Sequence, residues 1–345
     1  MSRFVAGSVG PARGDNRTMG WIGVVATLAG SGGGAPDRAG LTRRLKRLDA
    51  VFDVPAVRSG SVDTGTVVEY YERCVEPYRK YHSTEGALHM ALAEAGQPDD
   101  GYRGQLRRLL AQWDAPAAPR AIRDVLELAC GQGFNLAWLA AQRPALRFEG
   151  VDLTPAHHAL ASARLRAAGL DNVGLRLADF HALPHADASF DALFAIEGFC
   201  HASDLPRALA EAARVLRPGG TFTLFDGYRV RPSSALDEEE SLAVELVARG
   251  MALNHLQGLD ELLDHARAAG FEPHRVEALD REVMPSLQRL ERLTGAVVRV
   301  PWLGRRALAR RHPARGRNVL AGYLLRTTVN LGLLGYRQVV LRRAS

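Results

Sequence analysis

The chain has 345 residues, 47% of them hydrophobic and 24% charged, with a net charge of +6. That size buries a full α/β core with room for one accessory region, and the composition is that of a soluble globular protein. Three widely separated cysteines (Cys74, Cys130, Cys200) without a CxxC pair exclude a disulfide framework or a zinc site, and no apolar run nears the ~20 residues that span a bilayer. The basic excess leaves nucleic acid or an anionic membrane open as partners, although a coding bias toward Arg accounts for it more simply.

Residues 1–60 are rich in Gly, Ser, Ala and Arg, and the run Gly30-Ser31-Gly32-Gly33-Gly34 is linker chemistry. They are predicted to form a disordered leader, relieved at most by a short basic helix over 41–52. Residues 21–29 (WIGVVATLA) follow Arg13 and Arg17 and imitate a signal peptide, but are assigned to that leader, with Met19 as an alternative start. Residues 61–118 read as a helical lid. Val67, Tyr71, Cys74, Tyr78 and Tyr81 recur at helical spacing with Tyr70 beside them, a second helical pattern covers 85–95, and a third covers 102–113. The tyrosine stripe either packs on the main domain or covers a substrate.

The stretch DVLELACGQGFN (124–135) is the centre around which the chain is organised. Val125, Leu126 and Leu128 form a buried strand, Ala129 to Gly133 a glycine turn, and Leu136, Ala137, Leu139 and Ala140 a helix. The glycines let the backbone turn sharply and approach a ligand, and the helix start offers free N–H groups. A dinucleotide fingerprint would place a third glycine where Leu136 stands. Glu127, before the loop, would repel a diphosphate but suits a ligand bearing an ammonium and a sulfonium, as S-adenosylmethionine does.

A second strand over 147–151 ends at Asp152, 19 residues past Gly133, the spacing of an acid that bonds ribose hydroxyls. Leu153 is next in the chain. The helix over 155–168 ends at Gly169, and His157 and His158 on it read as solvated. A third strand (173–177) leads to Asp179 and Phe180, a carboxylate and a ring suited to adenine. The fourth strand, FDALFAI (190–196), is apolar throughout and so central. A helix (205–216) and a fifth strand (221–225) come after it. Asp237 to Glu240 form an acidic, solvated helix start rather than a metal site. Then come a helix (259–269), a sixth strand (271–278), basic helices over 285–331 and a last strand (336–341). The alternation predicts an α/β fold with a seven-stranded, mostly parallel, doubly wound Rossmann-like sheet, an N-terminal helical region and helical insertions near the C-terminus.

Residues 119–227, with ELACGQG, GVD, ADF, FDALFAIEGFCH and VLRPGG, resemble class I S-adenosylmethionine-dependent methyltransferases of the small-molecule branch. Ala129 stands where many members have glycine. The resemblance implies a domain over 119–345 with a seventh, antiparallel strand at the sheet edge. AIEGFCHA (195–202) is similar to a segment of sterol C-methyltransferases and their tocopherol-pathway relatives, as are Glu69-Tyr70-Tyr71 and EGALH (85–89). This narrower likeness implies a hydrophobic, often isoprenoid, acceptor.

The expected cofactor residues are Glu127, Ala129, Gly131, Gly133, Asp152, Leu153, Asp179, Phe180 and Glu197. Glu197 and His201, past the fourth strand, are the candidate catalytic pair. Either could take a proton in O- or N-methylation, or Glu197 could stabilise a cation in C-methylation, with Tyr70, Tyr71, Phe199 and Tyr228 against the substrate. Residues 299–317 set Arg305, Arg306, Arg310 and Arg311 near Trp302 and Leu303, a candidate contact with anionic lipid or a plain solvated cap. The expected setting is cytoplasmic, without a nucleic-acid partner. The alternatives are an RNA-modifying methyltransferase and a non-catalytic protein that binds the same cofactor.

Overall fold

The computed structural model describes residues 38–94, 101–115, 121–309 and 313–345, all within the unit Ala35–Ser345. Signal-peptide-like residues 21–29 and the glycine linker lie outside the described residues. The segment expected to be disordered up to residue 60 is helical from Arg38. Helix α1 (Arg38–Asp49) buries Leu41, Leu45 and Leu48, and α2 (Val54–Ser59) starts at an Asp53 cap. The three leucines pack with Ala243, Val244 and Leu320, so the Arg- and Gly-rich composition hid an apolar stripe that tertiary contact orders.

Helix α3 (Thr64–Tyr81) begins at Asp63, whose carboxylate accepts from Thr66 N at 2.7 Å. The helix predicted over 85–95 does not form. Its backbone N–H groups go elsewhere: Met90 N to Glu197 Oε1 (2.7 Å), Ala91 N to Ser286 Oγ (3.3 Å), Leu92 N to Gly101 O (3.0 Å) and Ala93 N to Glu282 O (2.8 Å). Spread over four partners, the segment is an extended strap instead of a helix. Helix α4 (Gly104–Trp113) closes the N-terminal part.

The sheet comprises β1 (Asp124–Leu128), β2 (Arg147–Asp152), β3 (Val173–Leu177), β4 (Phe190–Ile196), β5 (Leu216–Arg229), β6 (Phe271–Ala278) and β7 (Leu334–Arg343). Its order is β3-β2-β1-β4-β5-β7-β6, and β7 alone is antiparallel to its neighbours. The antiparallel strand is therefore not at the edge, as the resemblance implied, but inserted between β5 and β6. β5 also runs well beyond 221–225, because β7 pairs with it from Thr221 to Arg229.

Helices α5 (Phe134–Gln142), α6 (Pro155–Ala167), α7 (Leu205–Val215), α8 (Glu238–Gly250), α9 (Leu259–Ala268), α10 (Asp280–Val298), α11 (Pro301–Ala309) and α12 (Pro313–Asn330) complete the fold. One apolar cluster joins Leu126, Leu193 and Leu224 to α7 and α9; another joins Val125, Ala192 and Phe194 to α4 and α5. β4 is buried along its whole length between β1 and β5. The acidic run is a built terminus: Asp237 and Glu240 form a capping box, and Glu240 is buried and paired with Arg231 at 2.9 Å.

Candidate active site

β1 and β4 are neighbours at the centre of the sheet, where the chain order changes direction. A crevice opens there beyond the strands' carboxyl ends, the usual ligand position in open α/β sheets. After Leu128 the chain reverses within five residues, with Ala129 (φ 56°), Gly131 (53°) and Gly133 (71°) all left-handed. Crowding adds a second requirement for glycine: a Cβ on Gly131 would come 2.8 Å from Leu88, and one on Gly133 would come 2.9 Å from Ala161. Asp152 braces this loop from β2, accepting from Gly131 N through Oδ2 and from Thr154 N through Oδ1, both at 2.8 Å. Burial raises its pKa, but His157 and the two backbone donors outweigh that and hold the carboxyl below its ordinary range.

Across the crevice, β4 ends at Glu197, whose backbone is also left-handed (φ 50°). Gly198 abuts the loop so closely that a Cβ there would lie 2.5 Å from that of Ala129. Glu197 Oε1 accepts from Met90 N at 2.7 Å and from the Tyr336 hydroxyl at 2.8 Å. Burial pushes its pKa up to about 8 against the pull of both donors. One short turn later, His201 Nε2 and the Tyr71 hydroxyl are 2.8 Å apart, and their rings meet edge-on. Burial lowers the pKa of His201 to about 4 and raises that of Tyr71 well above the ordinary phenol value, so both are neutral near pH 7.

The strap forms the third wall through Gly86, Leu88 and His89. His89 Nε2 pairs with Asn135 Oδ1 at 3.0 Å, and Asn135 Nδ2 donates to Glu127 Oε1 at 2.7 Å. The cleft measures about 960 Å³ when the solvent in its open mouth is counted.

Among the residues expected from sequence, the cleft brings together Ala129, Gly131, Asp152, Leu153, Asp179, Phe180, Glu197, His201 and Tyr71. Others stand elsewhere. Glu127 lies behind Asn135 and is 1% exposed; burial raises its pKa well above the carboxylate range. Gly133 shapes the turn against Ala161 without lining the cleft. Tyr70 is corrected: adjacent helical residues point about 100° apart, so while Tyr71 enters the cleft, Tyr70 is buried with its hydroxyl on Asn318. Phe199 and Tyr228 are also corrected, since both are 1% exposed and belong to the core. Phe199 packs between Phe180 (ring centroids 5.5 Å, tilted) and Phe222 (5.2 Å, edge-on). His157, read as solvated, is instead buried in the cleft wall 5.4 Å from the Tyr71 ring. His181 pairs with Asp179 at 2.6 Å; His89 and Asn135, which stand at the ends of EGALH and DVLELACGQGFN without a role given to them, are site residues, and so is Tyr336, which no local motif announced.

A family profile described as "Methyltransferase domain" matches residues 126–224. Methyltransferase GfsG of Streptomyces halstedii is 31% identical over 229 residues, covering 65% of this chain and 76% of that protein. The chain belongs to the S-adenosylmethionine-dependent methyltransferases. The rice 24-methylenesterol C-methyltransferase 2 (Oryza sativa subsp. japonica) is 32% identical over 170 residues, which cover 49% of this methyltransferase and 46% of that one. The fold is shared with the [4+2]-cyclase SpnF, at a TM-score of 0.62 and 21% identity over 82% of this chain and 97% of that one.

The cleft fits the methyltransferase cofactor. Buried Glu127 Oε2 has no hydrogen-bond partner among the described residues, an unused acceptor behind the end that would take an ammonium group. Asp152, Leu153, Asp179 and Phe180, the residues that would hold the ribose and adenine, all line the cleft. Among the described residues, those lining the cleft include no Lys or Arg, which suits a cationic ligand. When bound, S-adenosylmethionine supplies an electrophilic methyl group on a sulfonium. The chain's contribution is to hold an acceptor in line, exclude water beneath the strap and α3, and receive a proton.

Proposed function

We propose that the methyl acceptor is an uncharged, hydrophobic small molecule that enters beneath α3 and presents a hydroxyl to Tyr71. One observation carries this reading: the cleft's described lining has no cationic side chain, and burial keeps both Glu197 and His201 neutral near pH 7. A phosphorylated acceptor would find no counter-charge there. Val67, Leu88 and Phe180 supply an apolar wall instead.

The Tyr71–His201 pair supports O-transfer. As the acceptor oxygen bonds to the methyl carbon, its proton passes to the Tyr71 oxygen while the Tyr71 proton moves to His201 Nε2. A weakly basic imidazole suffices, because an oxygen gaining a third bond is strongly acidic. Glu197 faces the cleft from the end of β4, one short turn before His201, and C-methylation of an alkene would use it as the counter-charge. His157 and Tyr71 give either acceptor an aromatic wall.

The test is mass spectrometry of lipid and metabolite extracts incubated with the protein and methyl-labelled cofactor. A labelled neutral product soluble in organic solvent is expected. Label in phosphorylated metabolites or RNA would refute the reading, and cofactor binding without label in any fraction would favour a non-catalytic role.

A hydrophobic acceptor would also give a use to α11. Trp302 is 69% exposed there beside exposed Arg305 and Arg306; Arg310 and Arg311 lie outside the described residues. No helix among the described residues is long and apolar enough to cross a membrane, so this would be contact from one side. Sedimentation with anionic vesicles, weakened by Trp302→Ala, is the corresponding measurement.

A further inference from the structure

The cleft holds two acids of opposite character. Asp152 accepts through both oxygens from backbone N–H groups and is held ionised. Glu197 accepts twice through Oε1 alone, leaving Oε2 without a partner among the described residues while the side chain lines the cleft. Its residue position touches the cofactor loop through Gly198 and Ala129. A donor seated on that loop would lie in the cleft that Glu197 also lines.

From these placements, and resting on the methyltransferase reading, we propose that Glu197 discriminates methyl donor from spent product by charge. It gives up a proton when the sulfonium enters, and regains one from solvent when the neutral thioether remains. The balance closes. Transfer breaks the S–CH3 bond and forms the acceptor–CH3 bond. The positive charge leaves with the methyl, then with the proton that passes by way of Tyr71 to His201 and from there to solvent, since burial holds that imidazole's pKa at about 4. The cleft then contains a carboxylate facing an uncharged sulfur, which the described lining does nothing to neutralise.

The surroundings of Glu197 set its response. The Tyr336 hydroxyl on β7 and the Met90 N–H on the strap favour the carboxylate; Gln105 on α4 steadies both, donating to Met90 O at 2.7 Å and to the Tyr336 hydroxyl at 3.2 Å. Asp226 on β5 disfavours the carboxylate, and its own pKa is raised to about 6 by burial, so it is ionised by pH 7. Tyr78 on α3, Cys200 and His201 on the following turn are other titratable neighbours, and none of these is a cation near pH 7; His89 on the strap lines the same cleft. With Asp152 and Asp226 already ionised, the acids left to titrate are Glu197 and Glu127, whose pKa burial also raises; Glu127 lies behind Asn135 toward the ammonium, which donor and product share, so the difference between the two belongs to Glu197.

Calorimetry of the full chain with S-adenosylmethionine and with S-adenosylhomocysteine, each in phosphate and in Tris, counts the protons exchanged. At pH 7 the donor is expected to release on the order of one proton more than the product. The ratio of donor to product affinity should rise up to about tenfold per pH unit below pH 8 and flatten above it. Glu197→Gln should abolish both the difference in proton release and the slope of that ratio. Tyr336→Phe, which removes a donor that favours the carboxylate, should move the midpoint to higher pH. Equal proton release for the two nucleosides, or a slope that survives Glu197→Gln, would overturn this proposal alone. Binding of neither nucleoside would overturn it together with the cofactor reading beneath it.

Discussion

Replacing Gly133 by alanine separates two effects that are usually confounded. Gly133 has φ 71° and a prospective Cβ 2.9 Å from Ala161 Cβ and 3.2 Å from its Cα. Gly169, at the end of α6, has nearly the same dihedral (φ 65°) with nothing within 4 Å of its prospective Cβ. A left-handed alanine costs about 1–2 kcal/mol at either position. Overlap with the α6 backbone adds about 1–3 kcal/mol at Gly133 only, because neither backbone can yield without moving the loop or the helix. Gly133→Ala should therefore cost about 2–5 kcal/mol, against about 1–2 kcal/mol for Gly169→Ala. Denaturant unfolding of the two variants measures the difference, and calorimetry with S-adenosylhomocysteine should show weakened binding only in Gly133→Ala. Ala129 already tolerates φ 56° in the same loop, so the dihedral alone does not forbid a side chain. Equal destabilisation of the two variants, with cofactor affinity retained in both, would refute the claim that close approach to α6 fixes the loop.

The paired tyrosines offer a second contrast: Tyr71→Phe should lower kcat on the order of 10²-fold, as loss of a proton-transfer group does, while Tyr70→Phe should leave kcat near wild type and cost about 1 kcal/mol of stability. Steady-state kinetics and urea melts read the two. Stability should also depend on pH through Glu197. Its folded pKa of about 8 exceeds the ordinary 4.5, so its contribution is full below pH 4.5 and lost as pH rises through 8. His201 works in the opposite sense, its contribution being lost only as pH falls from 6.5 through about 4. Glu127 is raised in the same direction, so between pH 6.5 and 8 the protein should lose at least the roughly 1–2 kcal/mol that Glu197 contributes; melts of Glu197→Gln should be flatter than wild type over that window. Asp237→Ala removes the α8 capping box and should cost about 1 kcal/mol by chemical denaturation.

The central sheet was readable because its signals are local. Apolar runs such as FDALFAI and the glycine turn after β1 each carry their structure within a few residues, and β3, β4 and β6 begin and end where the sequence places them. The strap was misread because EGALHMALAEA has helical spacing, yet its N–H groups find partners on α10, on the β4 end and at Gly101. No window of neighbouring residues contains that information. Half the site shares this origin: Tyr336 reaches Glu197 across 139 residues of sequence, and Tyr71 reaches His201 across 130.

What the amino-acid order determined by itself was the fold class, the loop and the sort of ligand that loop accepts, since strand runs, left-handed glycines and acids at strand ends are short-range properties. Tertiary structure decided which of two adjacent tyrosines enters the cleft, that Phe199 and Tyr228 are core, that His157 is a wall of the site and that β7 slots between β5 and β6. Those outcomes depend on which faces meet, and on desolvation that turns Glu197 and His201 into neutral groups at neutral pH. Burial is a property of the assembled chain, not of any residue within it.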